Sequence, residues 1–161
     1  VGSEMCIRDR HEIALIDSLQ PNEVAVLLCH QHHEIAPWGE LLSTRSQYLK
    51  AGGCLTDGSV RDVKRIRHMN FSVFAGNIGP LDSKHRGKLM WYDVPGKIHG
   101  VDVNSGDFVF GDVDGVVIVP QKIKAEVVGK ALQKAQEENQ VRVMLENGVS
   151  LAKAFERHGI L

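Results

Sequence analysis

Between Ala36 and Asp62 the chain twice enters a helix from a glycine-bearing segment, with one short apolar run in between. Ala36-Pro-Trp-Gly-Glu-Leu-Leu-Ser-Thr44 reads as the start of a helix. Gly52 to Leu55 reads as a buried strand, Thr56-Asp-Gly-Ser59 as a glycine turn, and Val60-Arg-Asp62 as the start of a second helix. Pro37 suits the first turn of a helix, where its missing N–H would have no partner. Gly39 leaves room for a ligand to approach the backbone. The free N–H groups of Gly39, Glu40, Leu41 and Leu42 would point in front of the helix and form an anion site. Arg61 can hold a carboxylate through two parallel hydrogen bonds, and Asp62 is a hard oxygen ligand for a divalent cation. With one strand between them, both helix starts lie at the same edge of a sheet.

The rest of the chain extends this alternation. His11 to Leu19 reads as a short helix, and Val24 to Cys29 is a continuous apolar run of buried-strand type. The first motif helix is expected from Pro37 to about Lys50. The second runs from Val60 to about His68 with Val63 and Ile66 inward, and Phe71 to Phe74 forms the next strand. Strands alternating with helices predict a parallel sheet with right-handed crossovers.

After Ala75 the pattern changes. A polar, glycine-rich loop from Gly76 to Gly87 leads to strands at Lys88–Val94, Ile98–Val103, Phe108–Gly111 and Val116–Val119. Pro95-Gly96, Ser105-Gly106 and Asp114-Gly115 separate them as turn signals. A long helix from Gln121 to about Asn147 carries Ile123, Val127, Val128, Ala131, Leu132 and Ala135 at helical spacing. Gly148 ends it. Ser150 caps a last helix, which Gly159 stops. Residues 1–10 read as a sequencing adapter translated in frame, and a native chain longer than this one is expected. Residues 11–161 read as a single α/β domain.

A formal net charge of -1 gives no bulk attraction to nucleic acid or to a membrane surface. No apolar run of about 18 residues exists to span a bilayer. Cys29 and Cys54 sit alone in apolar runs, as thiols do in a reducing cytoplasm.

The ordered motifs Trp38-Gly-Glu-Leu-Leu42, Thr56-Asp-Gly-Ser-Val-Arg-Asp62, Val73-Phe-Ala-Gly76, Pro80-Leu-Asp-Ser-Lys84, Gly106-Asp107 and Asp112-Val-Asp-Gly-Val-Val-Ile-Val-Pro120 resemble the RraA-like family. That family holds 4-hydroxy-4-methyl-2-oxoglutarate aldolases and regulators of ribonuclease E activity. The resemblance covers nearly all of residues 11–161. It implies a swivelling β/β/α domain, a homotrimer or hexamer with sites between subunits, and a cytoplasmic protein. It further implies a class II aldolase that cleaves 4-hydroxy-2-oxo acids to pyruvate, with oxaloacetate decarboxylation as a side activity. By that resemblance the backbone of Gly39, Glu40, Leu41 and Leu42 binds the pyruvate carboxylate, and Arg61 contacts the substrate. Asp62 holds Mg²⁺ or Mn²⁺, and an acidic residue of a neighbouring subunit, Glu138 or alternatively Glu137, completes the site. No general base is visible in the sequence; a metal-bound water and Glu40 are the candidates. The family often places an acid three residues after the aspartate, where this chain has Arg65.

Other readings stand beside these. Arg61-Asp62 alone also reads as a capping aspartate with a surface arginine. His30-Gln-His-His33-Glu34 suggests a metal cluster, yet adjacent loop histidines converge poorly on one ion. Asp112 and Asp114 read as a hairpin, Lys84-His85-Arg86 as a solvated basic loop, and Trp38 as packed beneath the loop. The alternative function is a non-catalytic regulator that binds ribonuclease E.

Overall fold

The computed structural model describes residues 11–159 except 31, 85 and 88; residues 1–10 therefore lie outside the described residues. The chain divides into two compact units, one up to Ile118 and one from Val119.

The first unit opens with α1 (residues 11–17) and β1 (Val24–Leu27). Next come α2 (Glu40–Tyr48), β2 (Gly53–Val60), α3 (Val63–Met69) and β3 (Val73–Ile78). The three strands form a parallel sheet in the order β1-β2-β3, as the alternation predicts. Two hairpins follow, β4 (Gly96–Ile98) with β5 (Val101–Val103), and β6 (Phe108–Asp112) with β7 (Gly115–Val119).

Side chains alternate across β2 and build a different core on each face. Cys54 joins Ile16, Ala25, Trp38, Ile66 and Phe71 on the helical side. Leu55 packs with Ile98 and Val103 of the first hairpin on the other. Helices, parallel sheet and hairpins thus give a mixed α/β architecture, as expected.

Several elements differ from the expected ones. Thr56-Asp-Gly-Ser59 is not a turn: β2 continues to Val60, with every residue buried. A side chain on Gly58 would meet Cys29 Sγ at 2.6 Å and Ile35 O at 2.9 Å, so the glycine permits close packing rather than a bend. Pro37 precedes α2 by three residues instead of opening it. Residues 36 and 38 bridge in parallel fashion to Asp82 and Val60. The described part of 88–94 is irregular, with Met90, Trp91, Tyr92 and Val94 exposed. The run expected as one strand from Ile98 to Val103 folds back on itself at His99 and Gly100, both with positive φ.

In the second unit a single 3₁₀ turn leads into α4 (Lys124–Glu146), followed by α5 (Leu151–His158). Ser150 Oγ accepts from the Lys153 N–H, and Gly159 ends α5 in the left-handed region, as expected. The apolar stripe of α4 is less covered than its spacing suggests: Ile123, Leu132 and Val143 are exposed, while Val141 is buried. Among the described residues, no helix is long and apolar enough to cross a membrane.

Trp38 is fully buried. Its indole N–H donates to Ser43 Oγ at 2.8 Å, and its ring stacks on Phe71 at 6.3 Å. Trp38→Ala should therefore lower unfolding free energy by about 3–5 kcal/mol, the usual range for truncating a core aromatic. Urea denaturation followed by circular dichroism measures it.

Candidate functional site

Strand β1 ends opposite Thr56, whereas β2 runs four residues further. The segment after β1 takes the vacated place. Ser59 N–H donates to Ile35 O (2.9 Å), the 38–60 bridge follows, and Arg61 N–H donates to Trp38 O (3.0 Å). Gly39, at the start of α2, is thereby laid beside Arg61 and Asp62.

Gly39 is the extended N-cap of α2 and offers no side-chain cap. A Cβ there would meet Asp62 Oδ2 at 2.7 Å and Arg61 Cγ at 3.1 Å. The space expected for a ligand is thus filled by those two side chains. Glu40 N–H donates to Asp62 Oδ2 at 3.2 Å, so this donor is already used. Leu41 and Leu42 remain as the first-turn donors without a partner among the described residues, a smaller anion site than the four groups expected.

Asp62 does not cap its own helix. It stands at the N-cap of α3 with φ of 61° and makes no side-chain cap hydrogen bond. Its carboxylate is turned the other way, to Glu40 N–H and to Arg61 Nη1 at 3.1 Å. Both bonds end on Oδ2, which leaves Oδ1 available to a cation. Arg61 Nε is buried and has no hydrogen-bond partner among the described residues. The capping-aspartate reading is therefore overturned.

Arg61 and Asp62 line a cleft of ≈ 430 Å³ together with Val63, Ile78, Gly79, Pro80 and Asp82. Asp82 is the residue that sequence reasoning passed over. The signal was there in Pro80-Leu-Asp-Ser-Lys84, and the end of β3 together with the bridge to residue 36 carries it to this cleft. Arg86 pairs with Asp82 at 3.3 Å instead of standing free. Arg65 is exposed on the first turn of α3. Glu138 and Glu137 belong to the second unit, on α4, where Glu138 pairs with Lys134 at 3.5 Å and Glu137 accepts from Gln133.

The histidine run does not converge. His32 pairs with Glu34 at 3.8 Å, while His33 turns to Asp57 and stacks on His99. Among the described residues no three metal-binding side chains gather. One carboxylate with an open oxygen, in a cleft that admits water, still suits Mg²⁺, which keeps several waters and takes one or two carboxylates.

A family model described as RraA-like, Aldolase/RraA, matches residues 6–118. The 4-hydroxy-4-methyl-2-oxoglutarate aldolase of Thermus thermophilus is 35% identical over 69 residues, 43% of this chain and 42% of that protein. A crystal structure of a Pseudomonas syringae protein superposes with a TM-score of 0.83 at 28% identity, covering 86% of this chain and 70% of that one. Streptomyces coelicolor RraAS2, described as an unusual member of the RNase ES inhibitor RraA family, gives 0.72 at 29%, covering 83% and 68%. The chain spans 23%, 61% and 65% of the length of three further curated relatives.

Cys29 and Cys54 are both free thiols. Burial, then the nearby Asp57 carboxylate, push the Cys29 thiol above its ordinary 9.0, while the Thr56 hydroxyl pulls it down. Burial drives Cys54 well above that value. A raised folded-state value means the folded protein keeps its proton where the unfolded chain has lost it. Stability is therefore intact below pH 9.0 and falls as pH rises from there through the folded value. Alkylation of Cys29 should show a midpoint above pH 9.0, and Asp57→Asn should lower that midpoint. Mass spectrometry of iodoacetamide-treated protein across pH measures both.

Proposed function

The chain belongs to the RraA-like family, and we propose that it is the aldolase kind of member, a divalent-metal-dependent carbon–carbon lyase acting on 4-hydroxy-2-oxo acids. One observation carries this reading: Asp62 forgoes its own helix and meets the α2 start beside Arg61, at a cleft. Similarity to proteins named as 4-hydroxy-4-methyl-2-oxoglutarate aldolases supports it.

In this reading Leu41 and Leu42 N–H groups hold the substrate carboxylate, which fixes the bond to be broken relative to Arg61. The Arg61 fork faces the 2-oxo oxygen and stabilises the negative charge that collects there as the C3–C4 bond breaks. The C4 hydroxyl loses its proton and becomes the carbonyl of one product, and the other fragment takes up a proton to become pyruvate. Asp62 holds Mg²⁺ or Mn²⁺, which supplies Lewis acidity to the 2-oxo group. The same charge stabilisation permits decarboxylation of oxaloacetate.

The regulator reading rests on the likeness to RraAS2. One assay separates the two. An enzyme decarboxylates oxaloacetate with added Mg²⁺ and stops with EDTA, whereas a regulator does neither.

Asp62→Asn should lower turnover by about 10²-fold or more. It should leave the melting temperature nearly unchanged, because asparagine also tolerates positive φ and no cap is lost. Arg61→Lys should fall similarly, since lysine keeps the charge but not the fork. Unchanged kinetics in either variant would remove that residue from the mechanism.

We place the last carboxylate on a neighbouring copy of the chain. The exposed Leu132 and Val143 on α4 support a ring in which Glu138 reaches the partner's site. Mixing Asp62→Asn with Glu138→Gln subunits should restore part of the turnover that each lacks alone. A fully active monomer at high dilution would sink the shared site.

A further inference from the structure

Nothing in the mechanism above uses Asp57, yet it is one of the few charged side chains the fold buries, at 5% exposure. Its Oδ1 accepts the Cys29 N–H at 2.5 Å. Its Oδ2 lies 3.9 Å from His33 Nδ1, and that nitrogen is 2.9 Å from the Asp57 carbonyl oxygen. Two residues on, the buried Ser59 hydroxyl donates to His33 O at 2.8 Å. Gly58, between them, has Cys29, Ile35 and Pro37 packed where a side chain would stand. Three consecutive residues of β2 thus grip the segment from Cys29 to Pro37, the segment that delivers Gly39 and the first turn of α2.

We propose that Asp57 is a positioning residue: its buried carboxylate, with the Ser59 hydroxyl and the Gly58 gap, sets where the α2 N–H groups stand relative to Arg61 and Asp62. A buried carboxylate is a costly choice unless its hydrogen bonds fix something. Here they fix a stretch whose described residues form no helix or named strand. The segment's other ties are backbone bonds further along, at Ile35, residue 36 and Trp38. Asp57 holds its near end, at Cys29, where β1 has already ended. This inference rests on the aldolase reading for its kinetic consequence but not for its structural one.

The kinetic consequence has a definite form. A carboxylate held by the α2 start is held alike before and during bond breaking, so displacing that start raises KM and spares kcat. Asp57→Ala should raise KM for oxaloacetate about tenfold, because a shift of this kind misplaces a binding group without removing it. Its kcat should stay within about threefold. Asp57→Asn keeps an oxygen for the Cys29 N–H and should recover most of the affinity. A merely structural role would lower active-enzyme concentration in both variants and leave KM alone.

Hydrogen exchange supplies the second arm. In Asp57→Ala, the hydrogen-bonded amides of Cys29, Glu40 and Arg61 should exchange at least about tenfold faster while those within α3 stay unchanged. Ser59→Ala, a milder change, should speed the same amides if the alanine variant at 57 does not fold. Unchanged exchange at Glu40 and Arg61 in whichever variant folds overturns the proposal, and so does an asparagine variant as impaired as the alanine one. If the unmodified protein shows no Mg²⁺-dependent decarboxylation, the aldolase reading fails, and the exchange arm still decides the positioning role.

Discussion

The parallel bridge between Trp38 and Val60 is the contact on which the site depends. It continues, beyond the end of β1, the pairing that β1 began with β2. Without it the start of α2 and the Arg61-Asp62 pair would be two separate loop ends. The bridge is held in place because Trp38 is pinned from two sides, by Ser43 of α2 and by Phe71 beyond α3. Ser43 Oγ also donates to Gly39 O at 3.0 Å, so the anchored residue and the helix start move as one. A packing residue thereby acts at a distance on the geometry of a polar site.

The parts of this arrangement that were legible in the sequence are those with local causes. The apolar runs at Val24 and Cys54, the helical spacing of Val63 and Ile66, and the capping of α5 by Ser150 follow from periodicity and short-range hydrogen bonding. Asp57-Gly58 was illegible for the opposite reason. That dipeptide signals a turn when its neighbours are unknown. Here its partners, Cys29 and His33, come from more than twenty residues away, and they convert a turn signal into the buried middle of a strand. Likewise, the fold of 98–103 turned on positive φ at His99, which no hydrophobic pattern announces.

The same division runs through the candidate site. Arg61, Asp62 and the Gly39–Leu42 start were readable as chemistry, and the structure brings them together. What the residues could not say was who occupies whom. Glu40 N–H, counted as a ligand donor, is taken by Asp62, and the gap at Gly39 is filled by Arg61 and Asp62. Asp82 reaches the cleft through a bridge to residue 36 across a long, irregular connection, a pairing with no local signature.

The Arg61–Asp62 pair makes little sense as a stabilising salt bridge. Both side chains are more than a third exposed, and pairs of that kind contribute at most about 1 kcal/mol. Against this stand two penalties. Asp62 is held at a φ of 61°, outside the regions most residues prefer. Arg61 Nε is buried without a hydrogen-bond partner among the described residues, a loss of about 1–3 kcal/mol for such a group. A positive φ and an unpaired donor gathered at one cleft are features that functional sites tend to collect, in keeping with the proposed role of this pair. On the proposed reading, an incoming carboxylate or 2-oxo oxygen would meet the exposed part of the Arg61 guanidinium, and a cation would use the open oxygen of Asp62.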